Sequence, residues 1–519
     1  MNNQYTYNQP PMGQGMMPPQ PQIPVWQRSM NGMKKIQSLF PKWLTQYSIA
    51  TYILALMVVS VVFSEYSLPW YYMLSGVVAI IVFFFYGSYL TNKRLFIDRV
   101  RRQQNFEKRL FWIAFIMRVI WMALIYSIFM QNYGDAFGFE NADADYYHQL
   151  GKFVSDLIGN GNFHFNDEIA RWNGGNNDIS DMGYGIYVGF AYWIVGAEQG
   201  IIVVRLLKCL LSSLTVVLMY RLGKRNFGEQ TGRITAIFCA LWPNFWYYCG
   251  THLKETEMVF LSVLFVEQAD QMLRSRQFTA WKVIPILLIG ASILTFRTPL
   301  ALVAFLSLIF SVVMSSQRVV SWGKRVIVGV LAILLIGVTL GNKIAEETRG
   351  LMDIAQSSEQ RSNMEWRSKR DNGNAFAKYA GKSVFAPLIF TIPFPSFVRP
   401  FDGQDQQQLL NGGNFIKNII SFFVMSAMVM LLLSGKWRDH LLPLSFLLGY
   451  LVVLAVSNFA QSERFHQPAM PFEMLFAAYG LSIVVTKPKY KRWFMYWCGV
   501  MFAAAIVWSW FKLAGRGLA

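Results

Sequence analysis

Apolar runs close to twenty residues long recur from about residue 48 to the end of the chain. A helix needs about twenty apolar residues to cross a bilayer, and within lipid its backbone polar groups must be satisfied internally. Only 15% of the 519 residues are charged, against about 25% in soluble domains. The pattern excludes a soluble globular protein. It predicts an all-α polytopic membrane protein with about 13 transmembrane helices, whose outer-face loops carry interfacial helices.

The distribution of positive charge predicts the orientation of these helices. Lys and Arg total 47 residues against 29 Asp and Glu, a net charge of +18. Each of the seven short segments assigned to the inside is basic, which is the side that Lys and Arg favour. We therefore expect a multi-pass protein of the inner (cell) membrane with a cytoplasmic N-terminus. The same assignment accounts for the positive charge without a nucleic-acid partner.

Composition divides the chain into five regions. In order, they are a disordered, cytoplasmic Gln/Pro/Met-rich tail (1–42), two N-terminal transmembrane helices with a basic cytoplasmic loop (43–109), a transmembrane core with an acidic first outer loop at 131–182 (110–341), a large outer-face loop region (342–413), and the C-terminal transmembrane helices (414–519).

Four segments carry more specific expectations. The segment at 184–196 is too short to span the membrane and predicts an interfacial or half-inserted helix. One span is predicted at 231–248 and another at 256–273. The apolar stretch at 283–315 is too long for a single span and is interrupted at Arg297. The Phe- and Pro-rich part of the large outer region is expected to lie on the membrane surface, with Arg399 near phosphate depth.

Ionisable residues beside a membrane are costly and therefore candidates for function. The first cluster is NADADYYHQLG, with Asp143, Asp145 and His148. Two carboxylates at this spacing could ligate a divalent cation, or one could accept a proton from a substrate hydroxyl. A solvated loop or helix cap is the alternative.

The four cysteines have no ligand-like spacing, so they indicate neither a zinc site nor a disulfide framework.

Further clusters are predicted on the same side of the membrane. CGTHLKETE contains His252, Lys254, Glu255 and Glu257, and QSERFHQPAMP contains Glu463, Arg464 and His466. A snorkelling lysine at a solvated helix N-terminus is the alternative for the first cluster, and interfacial anchoring is the alternative for the second. Arg297 lies between two apolar segments and needs a carboxylate or phosphate partner. Because these polar residues are predicted to lie at the outer face, and no repeat of matched halves is visible, the sequence argues against a transporter.

The order of these motifs resembles the GT-C membrane glycosyltransferases, which include protein O-mannosyltransferases and the aminoarabinose transferases of lipid A. In DADYYHQLGKFVSDLIGNG, Asp143, Tyr147 and Gly151 match that pattern; Arg205 opens a later span, and Phe227 and Gly228 form the turn that follows it. RFHQPAMPFEMLFAAYGL is similar to the late Arg-aromatic-Pro-Pro segment of these enzymes. LysGluThrGlu departs from the family pattern, which leaves the choice between Glu255 and Glu257 open.

The resemblance implies transfer of a sugar from a polyprenyl-phosphate donor to a hydroxyl of a glycan, lipid or protein on the outer face, with inversion. It implies Asp143 as the general base, with Asp145 as second candidate. Cations that would stabilise the leaving phosphate are Lys254, Arg297, Arg399 and Arg464. Other expected substrate-binding residues are Tyr147, His148, Glu255, Glu257 and His466. No cofactor is expected, although a divalent cation is possible.

Two other functions compete with this interpretation. An O-antigen-type polymerase or ligase is also polytopic and has a large late outer loop, as at 342–413, but the acidic first loop does not fit it. A lipid or solute transporter should place polar residues along a path through both leaflets.

Overall fold

The computed structural model describes residues 40–93, 106–138, 141–174, 179–275, 279–314, 388–399, 405–456, 462–484, 489–514 and 518. Within these ranges the protein is all α, and the only β pairing is an isolated antiparallel bridge between Ser67 and Val398. Most of the predicted tail, the last part of the transmembrane core predicted at 110–341 and most of the large outer region lie outside the described residues.

The helices follow the predicted apolar runs. In chain order they are α1 (Lys42–Val62), α2 (Trp70–Ile80, continued through a π-helical turn at Ile81–Tyr86 and Gly87–Lys93), α3 (Phe106–Tyr133), α4 (Asn141–Gly159), α5 (Phe165–Trp172), α6 (Met182–Val195), α7 (Ala197–Phe227), α8 (Glu229–Leu241), α9 (Pro243–Gly250), α10 (Glu255–Ser275), α11 (Ala280–Phe296), α12 (Thr298–Met314), α13 (Asp405–Leu433), α14 (Leu441–Val456), α15 (Glu463–His466), α16 (Met470–Val484) and α17 (Lys489–Ala514).

Among the described residues, seven helices are long and apolar enough to cross a membrane. They lie in α1, α2, α3, α7, α13, the segment Lys436–Val456 that ends in α14, and α17. Helices α6, α11, α12 and α16 are apolar but shorter. The prediction of an all-α polytopic membrane protein is therefore confirmed.

Two breaks in the helices have local causes. The predicted interruption at Arg297 is confirmed, since α11 ends at Phe296 and Arg297 has an extended backbone before α12 begins. The prediction of one span over 231–248 was wrong. Pro243 lacks an N–H and disfavours helical geometry at the preceding residue, and Trp242 is accordingly extended between α8 and α9.

Helix α7 is the centre of the helical core. It packs against α3, α6, α8 and α10, while α16 packs against α8 and α13. At its N-terminal end α7 lies beside α6, which in turn packs on α4. This arrangement brings the acidic first loop, in which α4 lies, against the start of α10.

The Phe- and Pro-rich segment 388–399 does not lie on a surface. Residues 389–398 are buried or nearly so, because α13 and α17 supply polar partners for their backbone. The Asn411 amide contacts the backbone of Ser396 in both directions, at 2.9 and 2.6 Å, and Ser509 Oγ accepts from the N–H of Phe397 at 3.2 Å. The expectation of a membrane-surface segment is therefore wrong for these residues.

Charged residues also lie inside the bundle, which corrects the expectation that they gather at the outer face. Arg118 is fully buried in α3, where it donates to Ser212 Oγ at 2.7 Å and to the carbonyls of Ala114 and Cys239. Lys208 of α7 and Lys417 of α13 are buried as well. Their positions inside the candidate spans remove one of the two arguments that the sequence offered against a transporter.

Candidate functional site

An ion-paired cluster joins three distant parts of the chain. Arg464, at the start of the late segment, contacts Asp143 through Nη1 and Glu255 through Nε. Asp143 lies in the first turn of α4 and its side chain is 57% exposed, whereas Glu255 begins α10 and is 2% exposed. One guanidinium therefore holds a solvent-exposed carboxylate and a buried carboxylate together.

The electrostatics of this cluster favour a permanently charged arginine. Burial of Arg464 disfavours its charge, but the carboxylates of Glu255 and Asp143 outweigh this and raise the pKa of Arg464 above its ordinary value. Burial also raises the pKa of the neighbouring Tyr147 phenol, and the negative charge of Glu255 adds to this effect. At neutral pH the cluster therefore contains a guanidinium and a neutral phenol.

Helix α15, which carries Arg464, has only four residues and is positioned by its neighbours. The guanidinium of Arg297 lies over the ring of Phe465 with its carbon 4.1 Å from the ring centre, and the hydroxyl of Tyr450 donates to the Phe465 carbonyl at 2.9 Å. His466 contacts Lys417 Nζ through Nδ1 at 2.7 Å. Arg297, Tyr450 and Lys417 thus hold the short segment that carries Arg464.

Lys254 lies beside the same cluster. Its ammonium pairs with Asp181 and donates to the Phe296 carbonyl at 3.0 Å. It also lies 6.0 Å from the centre of the Tyr147 ring, which contacts the Tyr184 ring edge to face. Lys254, Arg297 and Arg464 are therefore three cations brought to one end of the bundle.

Glu257 has a different environment from Glu255. Its side chain is 3% exposed, and Oε2 lies 3.7 Å from Nζ of Lys208, whose ammonium also donates to the Leu253 carbonyl. Glu255 therefore contacts Arg464, whereas Glu257 pairs with a lysine of α7.

His148 belongs to a buried chain of three polar side chains. Its Nδ1 is 2.8 Å from the hydroxyl of Tyr192, which lies 3.3 Å from Nε2 of His252. Burial lowers the pKa of both histidines, and nearby positive charges, Lys152 for His148 and Arg205 for His252, lower it further. Both imidazoles are therefore neutral near pH 7.

Two predicted residues have contacts elsewhere. Asp145 is exposed and accepts from Gln149 Nε2 at 3.3 Å, one turn along α4. The backbone N–H of Arg399 donates to the Tyr66 carbonyl at 2.8 Å, which ties this residue to the turn between α1 and α2. Neither of these contacts connects the residue to Arg464.

Several members of this region were not predicted from the sequence. Three of them are the buried ionisable residues Lys208, Lys417 and Glu473, although each lies within an apolar run, where an ionisable residue is itself a signal. Nζ of Lys417 lies 3.4 Å from Oε1 of Glu473. Asp181, which pairs with Lys254, lies in the acidic loop without any distinguishing pattern. Tyr192 could not be identified, because its role depends on two histidines that are distant in sequence.

A comparison with known protein families gives a match to part of the chain that contributes to this cluster. Residues 189–340 match the family model described as dolichyl-phosphate-mannose-protein mannosyltransferase, which is of the GT-C type. The resemblance to the GT-C membrane glycosyltransferases is confirmed for this segment, which contains Lys254, Glu255 and Arg297 but neither Asp143 nor Arg464. No curated protein matches the chain significantly.

Proposed function

We propose that this multi-pass membrane protein, a glycosyltransferase of the GT-C kind by its family match, transfers a sugar from a polyprenyl-phosphate donor to an acceptor hydroxyl at the site around Asp143. The observation that carries the proposal is the contact of Arg464 with both Asp143 and Glu255. It places an exposed carboxylate beside a guanidinium, which are the two groups that such a transfer requires.

Asp143 is assigned as the general base. Its exposed carboxylate can accept the proton of an acceptor hydroxyl as that oxygen attacks the anomeric carbon, and attack from the face opposite the phosphate inverts the configuration. General-base catalysis typically contributes about 10²- to 10⁴-fold. Asp145 remains the second candidate, although its carboxylate pairs with Gln149 on α4.

Arg464, Lys254 and Arg297 are assigned to the donor phosphate. As the sugar leaves, negative charge builds up on the phosphate, and preorganised cations stabilise it most effectively where water is scarce. Arginine can hold a phosphate through two parallel hydrogen bonds. A phosphate bound by Arg464 would compete with Asp143 for the guanidinium, so donor binding would release the carboxylate for its role as base.

The proposal also specifies the side of the membrane, the acceptor and whether a metal ion takes part. We place the cluster on the outer face of the cell membrane, since the basic short loops favour the inside. Acceptors in this class are hydroxyls of glycans, lipids or proteins. The scheme includes no step on a metal ion, because Arg464, Lys254 and Arg297 are assigned to the phosphate.

The direct test is transfer by the purified protein in lipid vesicles. Polyprenyl phosphates carrying radiolabelled mannose, glucose or arabinose would be supplied with cell-envelope acceptors, and product would be measured with and without the Asp143→Asn substitution. Transfer that depends on Asp143 supports the proposal. Movement of the intact donor across the bilayer without transfer would instead indicate a transporter.

A further inference from the structure

A buried lysine of α13 connects the short helix α15 to two other elements. Nζ of Lys417 lies 2.7 Å from Nδ1 of His466 and 2.7 Å from the carbonyl oxygen of Ile392. It also lies 3.4 Å from Oε1 of Glu473. These partners belong to α15, to the Phe- and Pro-rich segment 388–399 and to α16. One ammonium group therefore holds three parts of the chain that are distant in sequence.

The contact between the lysine and the histidine has a defined direction. An ammonium has three donors and no acceptor, so Nδ1 of His466 accepts the hydrogen bond. Lys417 and His466 are each 1% exposed and Glu473 is 0% exposed, so bulk water does not share these contacts. A buried charge is stable only when it is paired and hydrogen-bonded, and the carboxylate, carbonyl and imidazole together meet this requirement for Lys417.

Helix α15 depends on such contacts for its orientation. It comprises only four residues, and a single helical turn is unstable on its own, because forming it fixes several backbone angles for one hydrogen bond. Its last residue, His466, is held by Lys417, and Arg464 lies only two positions earlier. A shift of His466 would therefore move the guanidinium of Arg464 relative to the two carboxylates that it contacts.

We propose that Lys417 is a positioning residue for the transfer. Through His466 it fixes α15, and it thereby keeps Arg464 in contact with Asp143. The inference rests on the proposed function, in which Arg464 binds the donor phosphate and Asp143 is the base. Lys417 takes no part in the chemistry itself, since its buried ammonium is surrounded by groups of the protein. Its effect on the rate passes through Arg464.

Two substitutions of His466 separate this role from the substrate contact that the sequence predicts for it. His466→Asn places an acceptor oxygen on Cγ, the carbon that carries Nδ1 in histidine, so it can still accept from Lys417. His466→Leu removes the acceptor. With the best donor among polyprenyl-phosphate mannose, glucose and arabinose, we expect His466→Leu to lower kcat/KM by about 10- to 100-fold, the effect of a small misplacement in an active site. His466→Asn should retain most of the activity.

A double-mutant cycle with Arg464→Lys tests whether the effect passes through Arg464. Substitutions at independent sites have additive effects on the free energy, whereas substitutions of residues that act through one another do not. His466→Leu should therefore cause little further loss of kcat/KM in the Arg464→Lys protein. A purely structural role of His466 would instead multiply the two losses.

Asn418, the next residue of α13, provides a matched control. It is 1% exposed, and its Nδ2 donates to the carbonyls of Thr391 and Pro393, in the same segment that Lys417 contacts. Neither of these two hydrogen bonds reaches α15. Asn418→Ala should lower the melting temperature, because it leaves buried carbonyls unpaired, whereas kcat/KM of the folded protein should stay unchanged.

A second route to the same loss is the double variant Lys417→Met with Glu473→Gln. It removes both buried charges together and so avoids an unpaired buried carboxylate, which is the strongly destabilising case. The double variant should lower kcat/KM to the level of His466→Leu, and it should also add little in the Arg464→Lys background. It therefore tests the inference even if His466→Leu does not fold.

Three results would overturn the inference. Wild-type kcat/KM in the Lys417→Met, Glu473→Gln variant would show that Arg464 needs no such support. Equal losses in His466→Asn and His466→Leu would indicate that His466 itself contacts the substrate. Losses that multiply fully with that of Arg464→Lys would make the effect a general structural one. Failure of the wild type to transfer from any of the three donors would contradict the proposed function, and the inference with it.

Discussion

The guanidinium of Arg464 contacts the carboxylate of Asp143 although 321 positions separate the two residues in the chain. The contact joins the first turn of α4 to the four-residue helix α15. Because Glu255 contacts the same arginine from the start of α10, three segments that are remote in sequence form one cluster. The late part of the chain therefore completes a site that the acidic first loop begins.

Replacing Arg464 with lysine should impair transfer while leaving the charge in place. A lysine ammonium lacks the planar fork with which the guanidinium reaches two carboxylates at once. We expect kcat/KM for the donor to fall by at least about tenfold, since hydrogen bonds to charged groups contribute about 1.5–3 kcal/mol each. The melting temperature in detergent serves as the control for folding. Wild-type kinetics in Arg464→Lys would leave Arg464 as a structural anchor.

Glu255→Gln and Glu257→Gln form a matched pair that should behave differently. Glu255→Gln removes the buried negative charge beside Arg464 and should lower transfer more than stability. Glu257→Gln leaves the ammonium of Lys208 buried beside a neutral amide, and removing one partner of a buried pair costs about 3–5 kcal/mol. It should therefore lower the melting temperature more than Glu255→Gln does. The reverse ranking would show that the two glutamates have exchanged roles.

The buried histidines predict how stability depends on pH. Burial lowers the pKa of His252 and of His148 in the folded protein, whereas in the unfolded chain the value is about 6.5. As the pH falls through about 6.5, the unfolded state binds more protons than the folded state, so stability declines. The melting temperature of the wild type should fall between pH 7.5 and 5.5, and His252→Gln should reduce that fall. An equal decline in both proteins would mean that other groups cause it.

The proposed orientation can be checked with an impermeant thiol reagent. All four native cysteines are buried, which keeps the background low. A cysteine at Asn160, exposed between α4 and α5, should be labelled in cells whose outer face is accessible, whereas a cysteine at Lys436, exposed between α13 and α14, should be spared. Labelling of the Lys436 position without permeabilisation would show that the membrane orientation is opposite to the proposed one.

The helical architecture could be read from the sequence because its causes are local. Apolar runs specify the spanning helices, and the break at Arg297 follows from a polar residue and a proline interrupting such a run. The break at Pro243 also has a local cause, the proline itself. The prediction of one span over 231–248 used only the length of the apolar run and did not take this proline into account. The burial of 388–399 could not be foreseen, since it depends on amides of α13 that lie beyond the segment itself.

The candidate site was only partly predictable for a related reason. Asp143, Glu255 and Arg464 could each be selected because ionisable residues beside apolar runs are costly. Their association required the packing of α4, α10 and α15, which no local pattern encodes. The partners of Lys254 and His148, namely Asp181 and Tyr192, became visible only when distant elements were brought together.

The central claim is that Asp143 is the base of a sugar transfer, and Asp143→Asn tests it most directly. Asparagine retains the size of aspartate and can still hydrogen-bond, but it cannot accept the proton. Initial rates of transfer from a polyprenyl-phosphate sugar should be measured for the wild type, Asp143→Asn and Asp145→Asn, with the melting temperature of each variant as control. We predict that Asp143→Asn lowers the rate by at least about 10²-fold at a nearly unchanged melting temperature, and that Asp145→Asn costs less. Transfer by Asp143→Asn at a near wild-type rate would contradict the claim, and an inactive Asp145→Asn variant alongside it would assign the base to Asp145.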